Sequence, residues 1–253
     1  MKMNDMEISN AVSDGSSILS EFEKQYLEIR EKERQYYTDE QVSLLPDIPG
    51  THPHYTEWKY RKISSDRLIA YLGKIKKPIK ILEVGCGNGW LASKIAAISN
   101  TMVTGIDINK TELKQAASVF KNKKNLHFLY GNIQEGILLD QKFDIIVFAA
   151  SIQYFPSLVQ LLQNALKLLA KNGEIHILDS PLYKEQDIIL AKQRAKIYFE
   201  KLGFSGMAAF YFYHKLSDLH SFIFKVLYDP FSLTCKLLKK HHPFYWVRIT
   251  QMN

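Results

Sequence analysis

The run Ile81-Leu-Glu-Val-Gly-Cys-Gly-Asn-Gly89 constrains the fold more than any other part of the chain. An apolar strand ends at an acidic residue, and glycines at every second position then form a turn. Trp90-Leu-Ala-Ser-Lys-Ile-Ala-Ala-Ile-Ser99 follows with apolar residues at helical spacing. Strand, glycine turn and helix in this order make a cradle that a nucleotide can enter without Cβ clashes. The glycine spacing discriminates among nucleotides. The dinucleotide fingerprint needs G-x-G-x-x-G, and counting from Gly85 puts Trp90 at the third glycine position. A nicotinamide-dependent dehydrogenase is therefore disfavoured.

Beyond the turn, strand and helix patterns alternate. Apolar runs predict strands over Ile79–Val84, Thr101–Ile106 (ending at Asp107), Leu126–Tyr130, Phe143–Ala149 and Gly173–Leu178. Helices fit over Leu91–Ser99, Lys110–Lys121 and Leu158–Ala170, and a further one over Lys184–Leu202. Phe222–Tyr228 and Phe244–Thr250 read as two last strands. The alternation predicts a parallel sheet covered on both faces, with its ligand at the C-terminal strand ends. Before this core, residues 16–37 read as a charged helix turning Ile18, Phe22, Tyr26, Leu27 and Ile29 inward. A proline-rich loop follows over Leu45–His54, which cannot be helical, and a second helix runs over Tyr55–Leu72 with Trp58, Ile63, Leu68 and Ile69. The expected organisation is an N-terminal helical extension or cap over 1–75, packed on a domain over 76–253 whose segment about 204–221 covers the substrate.

The pattern E-x-G-x-G-x-G over Glu83–Gly89 resembles motif I of the class I S-adenosylmethionine-dependent methyltransferases. The resemblance runs from about residue 79 to 180 and is nearest the small-molecule branch of that family. It implies an α/β, Rossmann-like sheet of seven strands, mostly parallel with the last one antiparallel, and helices on both faces. It also implies S-adenosyl-L-methionine as cofactor and no metal. On this reading Gly85, Gly87 and Gly89, with Cys86 between them, face the methionine and ribose, and Glu83 lies near the charged amino group. Asp107, in Gly105-Ile-Asp-Ile-Asn109, offers a carboxylate to both ribose hydroxyls. The plainer role for Asp107 is an N-cap, for which Asn109 and Thr111 compete. Ile108 would lie against one adenine face and Ile133 would complete the slot. Asn132, where related proteins often carry an acid, can accept from the adenine amino group and donate to a ring nitrogen, although asparagine also favours turns.

The loop Ala149-Ala-Ser-Ile-Gln-Tyr-Phe-Pro156 corresponds to the place where the family puts residues between cofactor and acceptor. Ala149 and Ala150 are thereby assigned to the cofactor, and Ser151, Gln153 and Tyr154 to the methyl donor or substrate. Gln153 stands where some relatives carry histidine. Methyl transfer from a sulfonium expels a neutral group, so alignment and water exclusion can supply most of the acceleration. A base is needed only if the acceptor keeps its proton until attack. Candidates are His54, with His52, in the proline-rich loop, and His214 at the end of Ala208-Ala-Phe-Tyr-Phe-Tyr-His214, whose Tyr211 and Tyr213 could stack on an acceptor. The implied function is methyl transfer to an O, N or C atom of a small molecule. The alternative is a non-catalytic S-adenosylmethionine-binding partner or regulatory protein, against which the intact Gly85, Gly87, Gly89 and Asp107 argue.

The net charge is +7, with basic residues gathered at Lys74–Lys80, Lys121–Lys124 and Lys236–His242. No nucleic-acid motif accompanies these clusters, which read as solvated faces, so no nucleic-acid partner is expected. No apolar run reaches the roughly 18 residues of a membrane span, and Met1–Ser20 lacks the pattern of a secretory signal. Two cysteines, Cys86 and Cys235, make a disulfide framework improbable. The expectation is a cytoplasmic monomer or homodimer acting on a small-molecule acceptor.

Overall fold

The computed structural model describes residues 16–233, 235 and 242–251. The side chain of Ile18, and Lys236, Lys239, Lys240 and His241 of the last basic cluster, lie outside the described residues.

A single seven-stranded sheet organises the chain, in the order β3-β2-β1-β4-β5-β7-β6. Its strands are β1 (Ile79–Val84), β2 (Thr101–Asp107), β3 (Leu126–Tyr130), β4 (Phe143–Ala149), β5 (Leu169–Leu178), β6 (Ile223–Tyr228) and β7 (Trp246–Thr250). Strands β1 to β5 pair in parallel, and β7 runs antiparallel to both β5 and β6. The order reverses between β1 and β4, which opens a crevice at their C-terminal ends.

Alternation along the central strands explains why both faces need cover. Ile146 and Phe148 of β4 join Leu82 and Val84 of β1 in one core, while Ile145 and Val147 join Ile79 and Ile81 in the other. The first core is closed by α6 (Leu158–Leu168), whose Leu158, Leu161, Leu162, Ala165 and Leu168 recur at helical spacing and are all buried. Ser157 caps that helix by accepting from the Gln160 N–H at 3.2 Å. The second core is closed by α3 (Tyr55–Leu72) and α4 (Trp90–Ile95), with Leu68, Leu72, Leu91 and Ile95 buried. The helix α5 (Lys110–Val119) packs beside β3.

Three expectations shift. The helix over 16–37 ends early, as α1 (Ser16–Lys32), where Arg34 takes φ +56°, and a short α2 (Asp39–Leu44) starts beyond it at a capping box of Thr38 with Gln41. The helix over Lys184–Leu202 begins as a 3-10 turn at Glu185–Asp187 and becomes α7 only over Ile188–Leu202. Strand β5 starts at Leu169 rather than Gly173, with a register shift against Phe143 and Ile145 of β4. A third, smaller core ties α1 to α7: Ile29, Phe199 and Met207 are buried with Phe22, Tyr26, Tyr154 and Phe210 around them. Among the described residues no helix is long and apolar enough to cross a membrane.

Candidate active site

Strand β1 ends at Val84, and the chain turns through Gly85, Gly87 and Gly89, all with positive φ. At Gly85 the need for glycine is acute: φ is +75° and a Cβ would sit 2.5 Å from the Ser151 Cβ. Gly85 N and Cys86 N donate to Ile106 O at 2.8 and 3.2 Å, and Gly87 N donates to Asp107 Oδ2 at 2.7 Å. The turn is thus laced to the end of β2. Gly89 serves differently. It caps α4, and a Cβ there would meet the Phe128 ring at 2.5 Å, so its glycine fits helix against sheet.

Two cavities meet at this turn. The smaller, about 410 Å³, is lined by Val84, Asp107, Ile108, Asn132, Ile133, Ser151 and Phe155, with Phe22 of α1 and Phe210 over it. The larger, about 450 Å³, is lined by Glu83, Cys86, Ala149, Gln153 and Asp179 with residues of α1, α3 and α7. Tyr26, Gly85, Gly87, Glu112, Ala150 and Tyr154 line both, so the two spaces adjoin at the glycine turn.

The smaller cavity has the features of a nucleoside slot. Asp107 is half-buried, and each carboxylate oxygen holds one backbone N–H, Gly87 on Oδ2 and Asn109 on Oδ1 at 2.8 Å. Each oxygen keeps a lone pair for a second donor. Burial, with the Glu112 carboxylate adding to it, pushes Asp107 up to about 6. The cap of α5 belongs to Asn109, whose Oδ1 accepts from Glu112 N at 3.0 Å, and not to Asp107. Asn132 takes the turn role, its Oδ1 accepting from Gln134 N at 3.0 Å to start a 3-10 turn, and the residue also lines the smaller cavity. Ile108 and Ile133 supply apolar walls.

In the larger cavity two acceptor atoms stand out, beside the likewise unpartnered Arg30 Nε. Glu83 Oε2 and Gln153 Oε1 are buried without a hydrogen-bond partner among the described residues. Burial, then the nearby Asp107, hold the Glu83 carboxyl well above the carboxylate range, so a cation there would stabilise its ionised form. Gln153 donates through Nε2 to Ala150 O at 2.7 Å, which aims its carbonyl at the cavity. Burial raises the phenol of Tyr154 and, further, that of Tyr211, so both are neutral hydroxyls at neutral pH.

Neither histidine foreseen as a base lines either cavity. His214 is buried with Nε2 2.9 Å from Ile152 O, and its own carbonyl accepts from Tyr183 N. It braces the loop that carries Gln153 and Tyr154. His54 precedes α3 with Nε2 2.6 Å from Glu33 O and Nδ1 3.3 Å from Gln35 Nε2, occupied by the helix-extension contacts. Cys86 reaches the larger cavity but packs its sulfur against the Gly105 backbone.

Sequence reasoning missed Asp179 and Arg30. Asp179 follows β5 with φ +54°, lines the larger cavity, and is gripped by Ser64 Oγ (2.5 Å, to Oδ2) and His242 Nε2 (3.0 Å, to Oδ1). Its strand-end position, like that of Glu83 and Asp107, was the available signal. Arg30 of α1 crosses to Glu112 of α5 at 3.3 Å and donates to Gln35 at 2.6 Å, closing one wall. No local pattern announces a contact across 82 residues.

Residues 75–207 match the family model described as a methyltransferase domain. The chain is 25% identical to 27-O-demethylrifamycin SV methyltransferase of Amycolatopsis mediterranei over 54% of this chain and 54% of that protein. It is 27% identical to sterol 24-C-methyltransferase ERG6B of Gibberella zeae over 69% of this chain and 48% of that one. The chain thus spans about half the length of the curated relatives it matches. In fold it is similar to YcgJ of Bacillus subtilis, at a TM-score of 0.56 and 15% identity over 66% of this chain and 71% of that one. The sheet order, the glycine turn and the matched span agree: the chain belongs to the class I S-adenosylmethionine-dependent methyltransferase family.

Proposed function

We propose that the chain transfers a methyl group from S-adenosylmethionine to a small molecule held in the larger cavity. The observation that carries this reading is the junction of the two cavities at Gly85 and Gly87, with an unpartnered carboxylate oxygen of Glu83 on one side and Asp107 on the other.

The residues present fit the donor. Glu83 Oε2 is an orphaned buried acceptor suited to an ammonium group, and meeting one offsets the desolvation that raises its pKa. Asp107 has the two free lone pairs that vicinal ribose hydroxyls require. Ile108 and Ile133 offer the apolar walls of an adenine slot, and Asn132 the polar edge. When bound, the donor supplies a sulfonium methyl group that an in-line nucleophile removes, leaving a neutral thioether.

The remaining work falls to the chain itself. The Gln153 carbonyl and the Asp179 carboxylate both face the acceptor side and can accept from an acceptor hydroxyl or amine. Tyr154, a neutral phenol lining both cavities, is placed to orient an acceptor rather than to deprotonate it. The aromatic cluster of Phe22, Tyr26, Tyr154 and Phe210 covers the junction and keeps water out. The segment 204–221, joined to the loop by Phe212 N donating to Gln153 O at 2.7 Å, acts with α1 as the cover. Relatives named as an O-methyltransferase and as a sterol 24-C-methyltransferase support a small organic acceptor.

Incubation with S-adenosylmethionine and a panel of phenols, carboxylic acids, amines and isoprenoid alcohols tests this. Formation of S-adenosylhomocysteine that depends on one acceptor class is the expected result. Tight cofactor binding with no turnover across the panel would favour a binding protein instead.

A further inference from the structure

Helix α7 has two opposed faces. Its inner face carries the buried Ala191 and Phe199, and Phe199 lines the larger cavity. Its outer face carries Ile189, Leu190 and Ile197, which are 68%, 55% and 64% exposed. At 3.6 residues per turn these three fall within an arc of about 100°. Basic residues flank the stripe, Lys192 and Lys196 on one side and Arg194 and Lys201 on the other. Gln193 and the helix's one acid, Glu200, share that arc, and Glu200 lies 3.8 Å from Lys196.

The apolar surface does not stop at the helix. Phe231 and Leu233 are 54% and 76% exposed. Phe231 shares a groove of about 310 Å³ with Leu190 and Arg194, and Lys184 Nζ lies 5.5 Å from its ring centroid. Single exposed aliphatic residues need no explanation, but a contiguous patch with a polar rim marks a surface that meets something. The charge decides what. A second copy of the chain would bring the same lysines and arginine against themselves, whereas an anionic surface complements them.

We propose that the outer face of α7, continued by Phe231 and Leu233, docks on an anionic phospholipid surface. The aliphatic stripe enters the boundary between headgroups and acyl chains, and the flanking basic residues meet headgroup phosphates. The groove beside the stripe shares Pro181, Tyr183 and Phe244 with the larger cavity. An apolar molecule leaving the bilayer would therefore reach the cavity without crossing bulk water.

Sedimentation of the full chain with vesicles tests the docking without any transfer reaction, so it stands or falls apart from the proposed activity. At low salt the chain should pellet with vesicles of equal phosphatidylglycerol and phosphatidylcholine and not with phosphatidylcholine alone, and high salt should release it. The double variant Ile189→Glu/Ile197→Glu should lose vesicle affinity by at least about tenfold while keeping its melting transition. Should that variant fold poorly, Lys192→Ala/Lys201→Ala, which spares the apolar stripe, should also weaken binding to the anionic vesicles. Three results would overturn the proposal: no pelleting with anionic vesicles, wild-type affinity in folded variants of both kinds, or concentration-dependent dimerisation that the glutamates abolish in a protein that ignores vesicles.

Discussion

Gly87 donates its backbone N–H to Asp107 Oδ2 at 2.7 Å, so the glycine turn after β1 and the end of β2 hold one another across 20 residues of sequence. The carboxylate that faces the nucleoside slot is therefore also the clasp of the turn. Its ionisation bears on both.

Asp107 is pushed up to about 6 by burial and by Glu112, and its acceptor capacity is lost on protonation. Affinity for S-adenosylhomocysteine should be flat above neutral pH and fall about tenfold per unit below about pH 6. The sign for folding is opposite: the native state binds this proton more tightly than the unfolded chain, so the Asp107 contribution to stability falls as pH rises from about 4 to about 6. Calorimetric titrations across pH check the first point, and the break near pH 6 should vanish in Asp107→Asn. The same break in that variant would assign it to another group.

Gly85→Ala places a methyl group 2.5 Å from Ser151 Cβ at φ +75°. We expect a loss of about 1–3 kcal/mol in stability together with weaker cofactor binding. Gly50, where an added Cβ meets nothing within 4 Å, is the control: Gly50→Ala should change stability by less than about 0.5 kcal/mol. Chemical denaturation of the two variants compares them directly.

We expect His214 to act as a brace rather than as a base. Its bond to Ile152 O is buried, and burial lowers its pKa, so it is neutral near pH 7. His214→Ala should cost about 1–3 kcal/mol and loosen the loop bearing Gln153 and Tyr154, lowering turnover without altering its pH profile. Retained stability with a lost acidic limb in that profile would restore the catalytic reading.

The reach of the sequence is clearest element by element. Strands β1, β3 and β4 and helix α3 occupy the residues that apolar periodicity assigns to them, because each is bounded by a strong turn or cap signal. Helix α1 stops short at Lys32 because Arg34 turns into the left-handed region at φ +56° and Gln35 N donates back to Arg30 O at 2.7 Å, a close that no glycine announces. In the site, Glu83, Gly85, Gly87 and Asp107 were legible because one strand–turn–helix unit and the next strand end position them. The wall built by Arg30, Glu57 and Tyr26 was not, since it depends on how α1 lies across α5 and the glycine turn. The surroundings of His54 and His214 were not legible either, since only the packing reveals what their ring nitrogens already hold.

Arg30 and Glu112 form a largely buried pair whose other contacts are Gln35 and Asn109. Glu112→Gln and Arg30→Gln should each cost about 2–4 kcal/mol, and the double variant less than their sum, because each single change strands the partner's charge. A double-mutant cycle by denaturation measures the coupling; additive losses would mean the pair contributes nothing jointly.

The claim that the glycine turn and Asp107 form a cradle for the methyl donor is tested most directly by titrating S-adenosylhomocysteine into the protein near neutral pH. Saturable binding at one site is expected, with no binding of NAD, and Asp107→Ala should weaken it roughly 10- to 100-fold in a protein that still melts cooperatively. Absence of binding to the folded wild type, or equal affinity in a folded Asp107→Ala variant, would contradict it.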